Sequence, residues 1–264
     1  MTTFDFYFLT MNYPKIILSL LTLLIISCNA PEDIISLYLI GDSTMADKAP
    51  DKSPETGWGQ VLQEYFTAEV RVINHAVNGR STKSFIDEGR WDQVLDSLKK
   101  GDYVCIQFGH NDEKEYDPER FTNPVTGYRN NLIRFITDTR DKGASPILAT
   151  PIVRRSFNEQ GTLMDTHGTY PLIMHEVSYE YNVPLVDLQL QTEELVVSLG
   201  EEDSKQLYNW LDPGENDNYP DGRQDNTHLN RKGAYEVARL FMEGIIRQDI
   251  PLKEYLADTL QTDR

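Results

Sequence analysis

From Leu37 onward the chain alternates short apolar runs with longer stretches in which apolar residues recur at helical spacing. The runs are Leu37–Ile40, Val70–Ile73, Tyr103–Phe108, Pro146–Ala149 and Val183–Leu188. They are mostly apolar throughout rather than alternating, as expected of strands buried on both faces of a sheet. The helical patterns fall between them, over Trp58–Phe66, Phe85–Leu98, Gly127–Asp141 and Tyr170–Tyr181, with a last one over Lys232–Arg247. Such alternation predicts βαβ units and a mainly parallel sheet. The expected class is therefore α/β: a three-layer α/β/α sandwich around five strands. Residues Gln189–Asp225 are less regular, and Asp212–Arg223 is rich in Asp, Asn, Gly and Pro. That segment reads as a long loop delivering the motif that follows it. No repeat, low-complexity tract or linker divides residues 36–264, so a single domain is expected there.

The first residues follow another pattern. Ile16–Ile26 is an uncharged apolar run of 11 residues preceded by Lys15. It is short for a bilayer span and matches the apolar core of a signal peptide. Residues 1–10 carry Asp5 and no basic residue, so Met11 reads as the true start. The run ends Ile25-Ile26-Ser27-Cys28, which resembles a bacterial lipobox whose Cys28 becomes lipidated; a plain secretory cleavage near Ala30 is the alternative. The expectation is a lipoprotein-type signal peptide over residues 1–27 and a tether over residues 28–35. An exported product would then be tethered to the bacterial cell envelope by its lipid alone.

Charge and cysteine content narrow the function classes. The 264-residue chain has a formal net charge of −17. Nucleic acid is excluded as a partner, because phosphate contacts need a basic face. With Cys28 lipidated, only Cys105 remains; it lies inside an apolar run and reads as a small buried hydrophobe. The five histidines include no HxxxH or HExxH arrangement, and no metal site is expected.

Four segments carry polar residues at the ends of predicted strands or before a helix. Gly41-Asp42-Ser43-Thr44 ends the first strand and puts a hydroxyl at the carboxyl edge of the sheet, where open α/β folds bind ligands. Ser43 is the candidate nucleophile, although the same residues also read as a turn with a helix cap. Gly79, in Asn74–Ser81 after the second strand, lets a backbone N–H approach a ligand, or is a turn glycine. Asn111, in Phe108–Asp112 after the third strand, can donate a side-chain amide to an oxyanion, or form an Asx turn. Asp225 and His228, three apart at the start of the last helix, can lie on one side of a turn so that the carboxylate orients the imidazole. Alone, that pair reads equally as a helix cap and a surface histidine.

Taken together, the blocks GDSTMAD, NHAVNGRSTKSF, QFGHND and DNTHLNRKGA resemble the SGNH (GDSL-type) hydrolases, in their rhamnogalacturonan acetylesterase branch. Further similarity shows in PIVRRSF, DTHGTY, VPLVDL and PGENDNYPDGRQDNTH, over about residues 36–248. No G-x-S-x-G elbow is present, so the ordinary α/β-hydrolase fold is not indicated. The resemblance implies an SGNH, flavodoxin-like fold. It implies Ser43 as nucleophile, His228 as general base and Asp225 as the residue orienting it. The backbone N–H groups of Ser43 and Gly79 and the amide of Asn111 would form the oxyanion hole, without metal or organic cofactor.

The same resemblance implies an acetylesterase acting on acetylated pectic polysaccharide or its oligomers. Two alternatives are a GDSL-type esterase or lipase, or an esterase for xylan or another glycan. A third, from another class, is a glycan-binding surface lipoprotein without catalysis. Pectic chains carry carboxylates, so a chain this acidic needs a locally basic site. Arg80, Arg154, Arg155, Arg223 and Arg231 are the candidates, with Arg154 and Arg155 foremost because guanidinium forks match carboxylates. The alternative for each is an ion-paired surface arginine. Trp58, Tyr170, Tyr208 and Trp210 are candidates for stacking on sugar rings, with Trp58 also reading as core.

Overall fold

The structure is a computed structural model that describes residues 1–3 and 34–257. The apolar run Ile16–Ile26, Cys28 and tether residues 28–33 lie outside the described residues. The described residues from Ile34 on form one compact unit.

Five parallel strands make the central sheet: β1 (Ile35–Gly41), β2 (Val70–Asn74), β3 (Tyr103–Gln107), β4 (Ser145–Ala149) and β5 (Leu185–Val186). Their order is β2-β1-β3-β4-β5, the flavodoxin-like arrangement in which the chain reverses direction across the sheet beside β1. The helices are α1 (Trp58–Val61, continued as a 3₁₀ turn to Tyr65), α2 (Thr82–Asp87), α3 (Arg90–Ser97), α4 (Arg129–Asp141), α5 (Tyr170–Tyr181), α6 (Leu188–Asp203) and α7 (Arg231–Arg247). The expected α/β/α sandwich is present.

The pleat of β1 explains the two layers. Leu37 and Leu39 point into a core built with α1, α6 and α7, through Trp58, Val196, Phe241 and Ile245. Tyr38 and Ile40 point the other way, among Phe85, Trp91, Phe135 and Met174 of α2 to α5. Successive side chains of a strand face opposite sides of the sheet, so an unbroken apolar run feeds two cores. Cys105 is fully buried in the first, and burial pushes its thiol well above the ordinary range.

The differences from the sequence expectation cluster in two places. The pattern Phe85–Leu98 is two helices, because Gly89 takes a left-handed φ of 68° between α2 and α3. The segment Gln189–Asp225 is not a loop. It holds the rest of α6 and then an antiparallel ribbon, β6 (Tyr208–Leu211) with β7 (Arg223–Leu229), and only Asp212–Gly222 is a connecting loop. The polar sequence of β7, RQDNTHL, hides a strand that is only partly buried. The ribbon seats on α7 at Gly233, where a Cβ would lie 1.9 Å from the Leu207 carbonyl oxygen, so only glycine fits.

Candidate active site

The order β2-β1-β3 places the segments that follow these three strands side by side. Ser43 follows β1 in a tight turn closed by Ala46 N–H to the Asp42 carbonyl (3.0 Å). Asp42 is buried, and its Oδ1 accepts from the Thr44 N–H and hydroxyl, both at 2.9 Å. This is an Asx turn; no helix follows it, so the cap reading of this segment is not realised. Gln107, at the end of β3, locks the turn from below. Its Oε1 accepts from Trp58 Nε1 (2.9 Å) and from Thr44 Oγ1 (3.3 Å), while its Nε2 donates to the Thr150 carbonyl (3.2 Å). Lys48 secures the turn from outside by donating to the Ser43 carbonyl (2.6 Å) and to Asn78 Oδ1 (2.7 Å), and by pairing with Glu55 (2.9 Å). Its side chain is 2% exposed, so it acts as a buried strut.

Gly79 has a φ of 77°, which favours glycine, and precedes the capping box in which Ser81 and Ser84 close the start of α2. Asn111 is 2% exposed. Its amide is held at both ends: Nδ2 donates to the Arg80 carbonyl (3.0 Å), and Oδ1 accepts from Lys114 Nζ (2.8 Å). An ammonium only donates and a carbonyl only accepts, so the amide's orientation is fixed. One Nδ2 hydrogen remains for another acceptor. Asp112, fully buried, binds the two loops together by accepting from Thr82 N–H (3.1 Å), Thr82 Oγ1 (2.5 Å) and Thr122 Oγ1 (2.9 Å). Burial raises its carboxyl to about 7 in spite of these donors. Beside Asn111, burial pulls the His110 imidazole down to about 4. It is therefore neutral at physiological pH, 3.3 Å from the Asp42 carboxylate.

Asp225 and His228 precede the last helix as expected, but they come from the strand β7 and not from a loop. While β6 advances from Tyr208 to Trp210, β7 runs from Leu229 back to Gln224, so residues Asp225–His228 bulge out of the ribbon. In that bulge Asp225 Oδ1 accepts from the N–H groups of Thr227 and His228, each at 2.9 Å. Its Oδ2 accepts from Arg223 (2.8 Å) and faces His228 Nδ1 at 2.9 Å. Burial opposes ionisation of Asp225, but His228 and the two backbone donors outweigh it and hold its carboxyl well below the usual carboxylate range. A carboxylate accepts only, so the hydrogen sits on Nδ1 and leaves Nε2 as an acceptor. Nε2 lies 2.9 Å from Ser43 Oγ. This geometry can draw the hydroxyl proton onto the imidazole while Asp225 balances the charge.

The bulge is pinned to the sandwich by Arg155. That residue is 4% exposed and donates to Asn226 Oδ1 (3.0 Å), to Ser204 Oγ (3.1 Å) and to the Glu201 carbonyl; its own N–H donates to the Asn226 carbonyl (2.8 Å). Trp210 Nε1 reaches the same Asn226 Oδ1 at 2.9 Å.

These contacts correct the expected substrate-binding set. Arg155 is buried and fully engaged, so it does not face a ligand. Arg154 pairs with Glu113 at 2.5 Å, and Glu113 is also bonded to His167. Arg80 pairs with Glu88 at 3.0 Å, Arg223 serves Asp225, and Arg231 donates to the Tyr235 hydroxyl (3.0 Å). Of the stacking candidates, Trp58, Tyr170 and Tyr208 are buried, while Trp210 is half-buried under the guanidinium of Arg155. Lys48, Gln107 and Lys114 escaped the sequence reading. The spacing of Asn111 and Lys114 in a polar turn is the only local signal any of them gives.

Residues 39–235 match the GDSL-like Lipase/Acylhydrolase family. The chain is 44% identical over 222 residues to the rhamnogalacturonan acetylesterase RhgT of Bacillus subtilis, covering 84% of this chain and 94% of that protein. It is 37% identical over 218 residues to the probable rhamnogalacturonan acetylesterase YesY of the same organism, covering 83% and 95%. The crystal structure of YxiM from Bacillus subtilis superposes with a TM-score of 0.70 at 29% identity, over 82% of this chain and 57% of that one.

Proposed function

Because the chain belongs to the GDSL-like Lipase/Acylhydrolase family and is a carboxylic ester hydrolase, we propose that it removes acetyl groups from pectic rhamnogalacturonan or its oligomers through a Ser43 acyl-enzyme. The observation that carries this reading is the continuous hydrogen-bonded chain from Ser43 Oγ through His228 to Asp225, in a protein 44% identical to a rhamnogalacturonan acetylesterase.

In the first half of the reaction, His228 takes the Ser43 proton as Oγ attacks the acetyl carbonyl carbon. The tetrahedral oxyanion is received by the N–H groups of Ser43 and Gly79 and by the remaining Nδ2 hydrogen of Asn111. His228 then returns the proton to the departing sugar oxygen, and the ester bond to the sugar breaks. In the second half, water attacks the acetyl-serine carbonyl as His228 takes its proton; His228 then returns that proton to Ser43 Oγ as the bond between Oγ and the acetyl carbon breaks, and acetate leaves. The polar, Asp- and Asn-rich connection Asp212–Gly222 favours a sugar substrate over a long acyl chain, and the complete set of Ser43, His228 and Asp225 speaks against a glycan-binding protein that has lost catalysis.

Acetate release from acetylated rhamnogalacturonan, xylan and mannan tests the substrate. The highest kcat/KM is expected on rhamnogalacturonan; a higher value on xylan or on long-chain nitrophenyl esters would replace the proposal. Export and lipid attachment at Cys28 belong to the same proposal. Metabolic labelling with a radioactive fatty acid should mark the wild-type chain and not Cys28→Ala; an unlabelled wild type would reject the anchor.

A further inference from the structure

Of the expected basic contacts for an acidic sugar, Arg155 is buried and Arg80, Arg154 and Arg223 are paired with carboxylates, yet the structure brings two other cations to the oxyanion donors. Both come from the turn-rich segment that follows Asn111. Lys114 Nζ touches Asn111 Oδ1 at 2.8 Å, and among the described residues its two further donors meet no partner. The guanidinium of Arg120 lies over Gly79: its central carbon and both terminal nitrogens would each stand 3.5 Å from a Cβ placed there. Three equal distances mean that the flat fork rests broadside on the glycine. Arg120 Nε pairs with Asp117 Oδ2 at 3.1 Å, and among the described residues its two terminal nitrogens meet no acceptor. The segment is anchored rather than loose. Asp112 grips Thr122, and the buried Tyr170 hydroxyl donates to the carbonyl oxygens of both.

We propose that Lys114 and Arg120 form the subsite for the carboxylate of a uronic acid residue at or beside the acetylated sugar. The proposal rests on the pectic reading above and names the residues that give that reading its charge selectivity. Arg120 presents two N–H donors in a fork that fits one carboxylate, and Lys114 supplies a point charge beside Asn111. The remaining acidic groups of the segment do not already fill this role. Glu113 is taken by Arg154 and His167, and Asp117 by the inner nitrogen of Arg120; Glu115 and Glu119 are exposed. Burial, and after it the charges of Arg120 and Arg154, hold the Lys114 ammonium below the ordinary lysine range. Cations crowded in this way gain from an arriving anion. In a chain with a net charge of −17, such a local cluster is what lets an acidic polymer approach.

The test compares acetylated rhamnogalacturonan oligomers with free carboxylates against the same oligomers as methyl esters, with acetylated xylo-oligomers as a neutral reference. Wild type should lose roughly tenfold or more in kcat/KM when the carboxylates are methylated, mainly through KM. In Arg120→Gln that dependence on methylation should shrink to about twofold or less, and Arg120→Lys should restore part of it. Lys114→Met should lower kcat on every substrate, through Asn111, and in addition reduce the methylation effect. If Arg120→Gln keeps the wild-type ratio between free and methylated oligomers, the subsite is wrong while the pectic reading stands. If wild type releases acetate from xylo-oligomers and from neither pectic substrate, the pectic reading itself fails.

Discussion

The two halves of this site are held in place by different means. Ser43, Gly79 and Asn111 stand just past three neighbouring parallel strands, and their loops are stitched together by fully buried groups: Asp42, Gln107 and Asp112. Asp225 and His228 stand on a bulged two-stranded ribbon outside that sheet. The ribbon is fixed by the side chain of one buried arginine, by the Glu55–Asn230 bridge and by its seat on Gly233. The first half inherits its precision from the sheet. The second must be aimed by groups as distant in sequence as Arg155 and Glu55, so it is the half in which a remote substitution can disturb the chemistry.

Breaking the chain of hydrogen bonds between the halves has the largest expected effect. Ser43→Ala should lower kcat on 4-nitrophenyl acetate by about 10⁴-fold or more with an unchanged thermal midpoint; measurable residual turnover at the wild-type rate would mean that another group is the nucleophile. Within the sheet half, Asn111→Ala should cost about 10²–10³ in kcat, the range for one lost oxyanion donor, while KM for a small ester moves little. A loss confined to KM would place Asn111 in substrate binding instead.

Arg155→Met probes the ribbon half. It removes the guanidinium bonds to the Glu201 carbonyl, to Ser204 Oγ and to Asn226 Oδ1, leaving Asn226 held only by Trp210 and the backbone N–H of residue 155, and about 2–3 kcal/mol of stability should be lost in urea titration. Amide exchange should quicken over Arg223–Leu229 and not over Tyr103–Gln107. Equal changes in both segments would show that the halves unfold together and are not separately anchored.

The smallest effect concerns pH. Asp112 titrates at about 7 in the folded protein, far above its ordinary value of 3.8, because it is buried. Its stabilising contribution is therefore full below about pH 4 and is lost as the pH rises through 7. His110 works in the opposite sense: its folded value of about 4 lies below the ordinary 6.5, so its contribution is present above pH 6.5 and is lost as the pH falls toward 4. Asp112→Asn removes the first slope only. Its thermal midpoint should fall less than that of wild type between pH 5 and pH 8, by several degrees; parallel curves for the two proteins would show that Asp112 does not carry the charge change.

The pattern of apolar runs determined most of the sheet half. Five runs of four to six residues, separated by helical patterns, leave a parallel sheet with covered faces as the economical way to bury them, and the polar residues that end three of those runs must then share one edge. Ser43, Gly79 and Asn111 were legible for that reason, since strand ends are set by local periodicity. The ribbon was not legible. RQDNTHL has no apolar alternation to announce a strand, and the bulge that brings Asp225 onto His228 exists only because β6 and β7 pair out of step. Nor could the sequence separate arginines that face a ligand from those that face a partner. Arg155 looks in sequence like Arg154, yet one is sealed in the fold by Asn226 and Glu201 and the other is neutralised by Glu113. Side-chain charge is a property of the residue, whereas its availability depends on which distant groups the tertiary fold brings within about 3 Å, and only the folded chain decides that.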